Sequence, residues 1–272
     1  MLITESSNLQ IEPYLRLGVF FGILVLMMFA EYFFPRRGNQ FRKKRWPSNL
    51  LLVVLNTLVV RVVLPGATVA LALWVEVRGI GLLYWLPLPG WLAFLLAVVL
   101  LDMLIYWQHR FTHQLPMLWR FHRLHHADTM IDVTTGSRFH PVEIIFSVLV
   151  KLLAILILGP AAWAVIVFEI LLNGMAMFNH SNINLPPGVD RVLRKLLVTP
   201  DMHRVHHSTY GREYNRNYGF NLSVWDHCFN TYTAQPEDGH LQMKIGLPYF
   251  REANEARLLN MITQPFRTPV QK

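Results

Sequence analysis

The sequence predicts an all-α fold: an integral membrane helical bundle that carries a histidine-rich helical cap on its cytoplasmic side. Three observations predict it. The 272 residues are 53% hydrophobic and 15% charged, where soluble domains run to about 25% charged, and the mean hydropathy is +0.31. The apolar residues gather into runs of the length a helix needs to cross a bilayer, about 20 residues. Ten of the twelve histidines fall within 109–140 and 180–207, directly after such runs.

Leu17–Phe34 is the first span, closed by Pro35 and a basic cluster of Arg36, Arg37, Arg42, Lys43, Lys44 and Arg45. Beside an apolar run, such a cluster is expected in the cytoplasm against anionic lipid, not on nucleic acid. Leu50–Val75 is the second span, interrupted by Arg61 and Pro65. Trp91–Trp107 is the third, after an interfacial loop running from Tyr84 to Pro89. Val142–Leu158 and Ala161–Phe178 close the set as a helical hairpin turned at Gly159-Pro160. No cleavable signal peptide is expected, since no small-residue cleavage site follows the first run. Crossings counted from a cytoplasmic basic cluster place 108–141 and 179–272 in the cytoplasm. A re-entrant pair at Pro65 changes that count. The expected organisation is an N-terminal membrane region over 1–97 (two spans and an interfacial loop), a catalytic core over 98–232 and a cytoplasmic tail over 233–272.

The third span runs into His109-Arg110-Phe111-Thr112-His113, with histidines at i and i+4 on one helical face. That face continues back through Tyr106 and Asp102. An aspartate in an apolar span is costly and calls for a role, here to hold a ligand imidazole by its other N–H. Next come His122-Arg123-Leu124-His125-His126 and, after the hairpin, His203-Arg204-Val205-His206-His207. In each, positions i, i+3 and i+4 share a face and add three imidazoles. His140 and His180 sit singly at span edges, equally readable as interfacial side chains or as ligands. One H-x-x-x-H arises by chance; two H-x-x-H-H blocks with it on one side of a membrane point to metal. Eight motif histidines exceed the needs of one ion and suggest two. His227 and His240 lie outside the pattern and read as ordinary residues. The one cysteine, Cys228, excludes an intramolecular disulfide, an iron–sulfur cluster and a cysteine zinc site.

From Asp102 onward the chain resembles the fatty acid hydroxylase and sterol desaturase superfamily over roughly residues 98–232. The matching elements are Asp102, Tyr106-Trp107, His109-Arg110, His113, the block 122–126, His140-Pro141-Val142-Glu143 and Asn179-His180-Ser181. Thr199-Pro200, the block 203–207, Asn217-Tyr218-Gly219, Trp225-Asp226, Phe229 and Thr231-Tyr232 complete the order. One departure is Asn230, where the family has glycine; asparagine tolerates the left-handed conformation such a turn needs. The resemblance implies a non-haem di-iron centre of two iron ions at the cytoplasmic face, a lipid substrate and O2. On this reading His109, His113, His122, His125, His126, His180, His203, His206 and His207 are ligands, with His140 a tenth. Asp102, Glu143, Asp201 and Asp226 are candidates to orient them, though solvent-facing or helix-capping roles suit them as well; Tyr218 lines the pocket or packs.

Hydroxylation and desaturation share the same C–H abstraction, and both stay open, as does the identity of the lipid. The chain lacks a G-x-G-x-x-G turn for flavin or nicotinamide, so electrons are expected from an external donor: a ferredoxin, cytochrome or reductase. Arg110, Arg120, Arg123, Arg138, Arg204 and Arg212 around the ligand blocks are expected to offer an acidic donor a docking surface, or else to pair with lipid phosphate and acids such as Asp128 and Asp132. One alternative is a membrane zinc hydrolase, which the absence of glutamate between the paired histidines disfavours. The other is a metal transporter, whose ligands belong near the bilayer midplane and not past the span ends.

Overall fold

The computed structural model describes residues 2–38 and 42–268, the first twelve of them by backbone path alone. Among these the chain forms fourteen α-helices and no strand, with three isolated antiparallel bridges. The helices are α1 Leu2–Phe33, α2 Arg42–Val63, α3 Ala67–Arg78, α4 Leu82–Trp85, α5 Gly90–Gln114 and α6 Pro116–His126. α7 Pro141–Leu158 and α8 Ala162–Asn179 follow, then α9 Pro187–Leu193, α10 Pro200–His206, α11 Gly211–Tyr214, α12 Val224–Cys228, α13 Gly239–Gln242 and α14 Leu258–Thr263.

Six helical stretches are long and apolar enough to cross a membrane, where the sequence reading gave five: Tyr14–Phe33, Arg42–Val63, Ala67–Trp85, Gly90–Gln114, Pro141–Leu158 and Ala162–Asn179. The difference lies at Pro65-Gly66. Proline removes a backbone donor and disfavours helix at the residue before it, and Gly66 takes φ 60°. The break bends the chain without turning it back. Asn56 in α2 donates to the Phe139 carbonyl at the foot of α7 (2.8 Å), and Thr68 in α3 donates to Glu169 midway along α8 (3.3 Å). Gly81, just past α3, meets Gly159 at the far end, where a Cβ on Gly81 would lie 2.3 Å from the Gly159 Cα. α2 and α3 are thus two legs of one traverse.

Five traverses follow, and residues 36–38, 42–45, 109–140 and 180–268 gather at one end of the bundle. α3 and α5 each pack against both α7 and α8, so the expected hairpin is splayed around them and not closed on itself. Between the helices Phe168 packs on Leu101, Ile105 and Ala154. Phe21, Val25, Leu26 and Phe29 on α1 are more than half exposed. An apolar outer surface of this kind suits hydrocarbon, not water.

Buried ionic contacts join the bundle to the cap. Glu31 accepts from the backbone N–H groups of Val133 (2.7 Å) and Asn182 (2.8 Å). Arg45 is buried and pairs with Asp128 (2.5 Å) and Asp132 (2.7 Å). Arg36 pairs with Asp201, and Arg37 donates to the carbonyls of His240 and Met243. The basic cluster is therefore only partly a lipid-facing patch: all four of its arginines, Arg42 through Glu31 at 3.3 Å, are turned to acids or carbonyls of the protein. Lys43 and Lys44 are exposed.

Candidate metal centre

The cap is built by short helices whose starts are fixed locally. Leu115 takes an extended conformation ahead of Pro116, which ends α5 just past His113 and redirects the chain into α6. Thr199 caps α10, its hydroxyl accepting from Met202 N at 3.3 Å, with Pro200 in the first turn. α5, α6, α8 and α10 thereby bring nine histidines together, seven of them on the helices, His180 at the C-cap of α8 and His207 at the C-cap of α10.

The nine divide into two groups. His109, His113, His122, His126 and His206 form one; His125, His180, His203 and His207 form the other, and within each the candidate donor atoms lie within 4.8 Å of one another. The groups adjoin, with the His126 and His207 rings stacked at 4.5 Å. Each H-x-x-H-H block is shared. α6 gives His122 and His126 to the first group and His125 to the second; α10 gives His203 and His207 to the second and His206 to the first. The one-face reading of i, i+3 and i+4 was too coarse. Positions i and i+4 lie about 40° apart around a helix, whereas i+3 and i+4 lie about 100° apart. Neighbouring imidazoles therefore serve different groups.

Four rings are held by the nitrogen that points away from the centre. His122 Nδ1 donates to Glu143 Oε1 at 2.6 Å. The Nδ1 atoms of His109, His206 and His180 donate to the carbonyls of Tyr218 (2.8 Å), Arg216 (2.6 Å) and Ala176 (2.7 Å). An Nδ1 that donates leaves Nε2 as a bare lone pair in the neutral ring. Yet His206 Nε2 meets His109 Nε2 at 3.0 Å, and His180 Nε2 meets His125 Nε2 at 3.0 Å and His203 Nε2 at 2.9 Å. In the His109–His206 pair two lone pairs face each other with no proton between them, which is repulsive unless a cation accepts both. Nitrogens about 2.1 Å from one ion and at right angles about it lie about 3.0 Å apart. Both nitrogens of His113, His126 and His207 are buried without a partner among the described residues, as is His122 Nε2. The donor set fits metal ions.

Burial and neighbouring imidazoles hold His125, His126, His203 and His207 well below the ordinary histidine range. Burial pushes His180 and His206 down to about 3. All six are therefore neutral near pH 7, the form that binds a metal.

The remaining sequence candidates divide. His140 joins neither group: it caps α7, its Nδ1 accepting from Val142 N (3.1 Å), and its Nε2 donates to the Ile262 carbonyl (3.3 Å). Its place beside a proline that starts a helix explains the position. Asp102 holds no imidazole; it accepts from the Trp225 indole (2.8 Å) and Leu222 N (3.2 Å), tying α5 to the loop before α12. Asp226 accepts from the N–H groups of Tyr218 and Gly219 (both 2.8 Å) and from Thr231 (2.6 Å), so it fixes the loop whose Tyr218 carbonyl holds His109. A Cβ on Gly219 would lie 2.7 Å from that carboxylate, which restricts the position to glycine. Burial raises Asp226 to about 6 and the Tyr218 phenol to about 12. The Tyr218 ring lies edge-on to His113, centroids 5.3 Å apart. Asp201 pairs with the buried Arg204 and touches no histidine of either group. Asn230 takes φ 55°, the left-handed conformation expected for it. Arg123, Arg138 and Arg204 are buried and so leave the expected docking surface; Arg110, Arg120 and Arg212 remain at least partly exposed.

Sequence motifs gave no hint of the three carbonyls, which belong to backbone at Tyr218, Arg216 and Ala176. Phe139, stacked on His125 at 4.5 Å, and Trp119, 5.0 Å from His113 and stacked on Tyr214, are further wall residues. Their only signal was aromatic character beside the histidine blocks.

The comparisons with known proteins agree with this geometry. The chain is 30% identical over 150 residues to the ornithine lipid hydroxylase OlsE of Rhizobium tropici, covering 55% of this chain and 44% of that protein. It is 30% identical over 135 residues to the alkylglycerol monooxygenase of Homo sapiens, 48% of this chain and 28% of that one. Against the very-long-chain aldehyde decarbonylase GL1-6 of Oryza sativa subsp. japonica it is 27% identical over 202 residues, 70% and 29% respectively. The chain thus spans less than half the length of each. No solved structure matches it. The family model described as fatty acid hydroxylase matches residues 94–231, which hold both histidine groups. The chain belongs to the fatty acid hydroxylase family.

Proposed function

We propose that this protein is a membrane oxidoreductase that uses two non-haem iron ions, O2 and electrons from an external donor to hydroxylate or desaturate a lipid. The observation that carries the reading is the sorting of nine buried imidazoles into two groups with facing lone pairs. The names of its relatives, an ornithine lipid hydroxylase, an alkylglycerol monooxygenase and a very-long-chain aldehyde decarbonylase, support oxidative chemistry on lipids. The catalytic core is residues 98–232, served by the membrane region 1–97 and the tail 233–272.

The iron ions, when bound, supply O2 activation and removal of hydrogen from an unactivated C–H bond. The chain supplies orientation and dryness. Glu143 and the carbonyls of Tyr218, Arg216 and Ala176 keep the Nδ1 protons outward, so His122, His109, His206 and His180 would hold the metals through their Nε2 lone pairs. Asp226 holds the Tyr218 backbone, and through it His109. The apolar bundle ends directly at this centre, which lets a lipid tail reach it without crossing water. The centre and the basic cluster face the cytoplasm, where reduced carriers are found.

The purified protein is expected to carry about two iron atoms per chain. With lipid and O2 it should turn over only when a ferredoxin or cytochrome system is added. A single tightly held zinc, with turnover indifferent to iron chelation, overturns the reading.

A further inference from the structure

Outside the histidine groups, the cap contains a cavity of about 100 Å³ between the start of α2, the chain after α6 and the segment 250–256. Its wall carries Lys44, Arg45, Arg138 and Arg251, against the acids Asp128 and Glu252. Asp132 also pairs with Arg45 from behind, so one positive charge is in surplus.

The two guanidiniums that matter are Arg138 and Arg251. Arg138 is 1% exposed; its Nε donates to the Leu124 carbonyl and its Nη1 to Asn49. Its Nη1 also lies 3.8 Å from Asp128 Oδ1, and the side chain lines the cavity. Arg251 donates one amino group to the Ile245 and Leu247 carbonyls, and no carboxylate of the described residues pairs with it. Its charge therefore faces the cavity unbalanced.

We propose that this cavity binds a phosphate group. The guanidinium fork matches the geometry of phosphate oxygens, and charge-assisted bonds to them are the strong kind. At about 30 Å³ per water the volume holds about three waters, the scale of one phosphate. The apolar part of the lining favours a lipid headgroup as the source. Phe250, Ala253 and Ala256 add an apolar wall that a free ion cannot use. The proposal does not depend on the chemistry of the histidine groups.

The test uses the full chain in a maltoside detergent, following thermal unfolding against three probes: dihexanoyl phosphatidic acid, inorganic phosphate and dihexanoyl glycerol. A saturable rise with phosphatidic acid and none with the glycerol is expected. A weaker or absent response to inorganic phosphate identifies the lipid as the source; an equal response identifies the free ion. Arg251→Gln should weaken binding about tenfold. Since that arginine also holds two carbonyls, Ala253→Asp is the second variant, placing a negative charge on the wall at an exposed site with no bond to break; it should weaken binding at least as much. No saturable response to either phosphate probe, or unchanged affinity in both variants, overturns the proposal.

Discussion

Glu143 and His126 separate two ways of being near a metal. Glu143 bonds the outer nitrogen of His122, so Glu143→Gln keeps the shape and removes the charge. Loss of such an outer partner typically weakens a metal site 10–100-fold, roughly; metal per chain after dialysis against a chelator should fall accordingly. His126 has both nitrogens unpartnered within the first group. His126→Ala should therefore lose metal and activity while the protein stays in the membrane. His140→Ala should keep its metal and lose only a helix cap, about 1 kcal/mol, read as a lower Tm. Equal metal loss in both variants would contradict the division into groups. Acid should act through the same side chains. His180 and His206 have folded-state values near 3, below the unfolded value of about 6.5. The unfolded chain thus takes up protons first, and their contribution, complete above about pH 6.5, is lost as pH falls from there toward 3. Each histidine costs about 1.4 kcal/mol per pH unit in that window. Unfolding temperatures that stay level between pH 6.5 and 4 would contradict this.

The histidine blocks were legible as elements because helical spacing is written in the residues themselves. How α6 and α10 divide their histidines was not, since it depends on which neighbours stand on either side of each helix. The same holds for α2 and α3. Pro65 marked the break, but whether the chain bends or reverses there is decided by Asn56 finding Phe139 just before α7 and Thr68 finding Glu169 on α8. At the far end Gly159 takes φ 62° as the C-cap of α7, and a Cβ there would lie 2.0 Å from the Ile80 carbonyl oxygen. Gly159→Ala combines backbone strain with a backbone clash. It should destabilise the protein by about 2 kcal/mol or more, seen as a lower Tm and less folded protein in the membrane.

At the scale of the molecule, five traverses put residues 42–45 and both ligand blocks at one end. Topology reporters after Arg45, His126 and His207 should agree with one another and oppose a reporter after Gly159. Disagreement between the His126 and His207 sites would break the assembly of both groups. By itself the sequence determined the all-helical membrane class, the histidine blocks and nine of the residues that meet in the two groups, because hydrophobic length and helical spacing are local properties. Only the tertiary structure decided which histidine joins which group, that His140 joins neither, and that Arg45 is buried against Asp128 and Asp132. Those outcomes depend on contacts between residues tens of positions apart, and on backbone carbonyls that carry no residue identity to read.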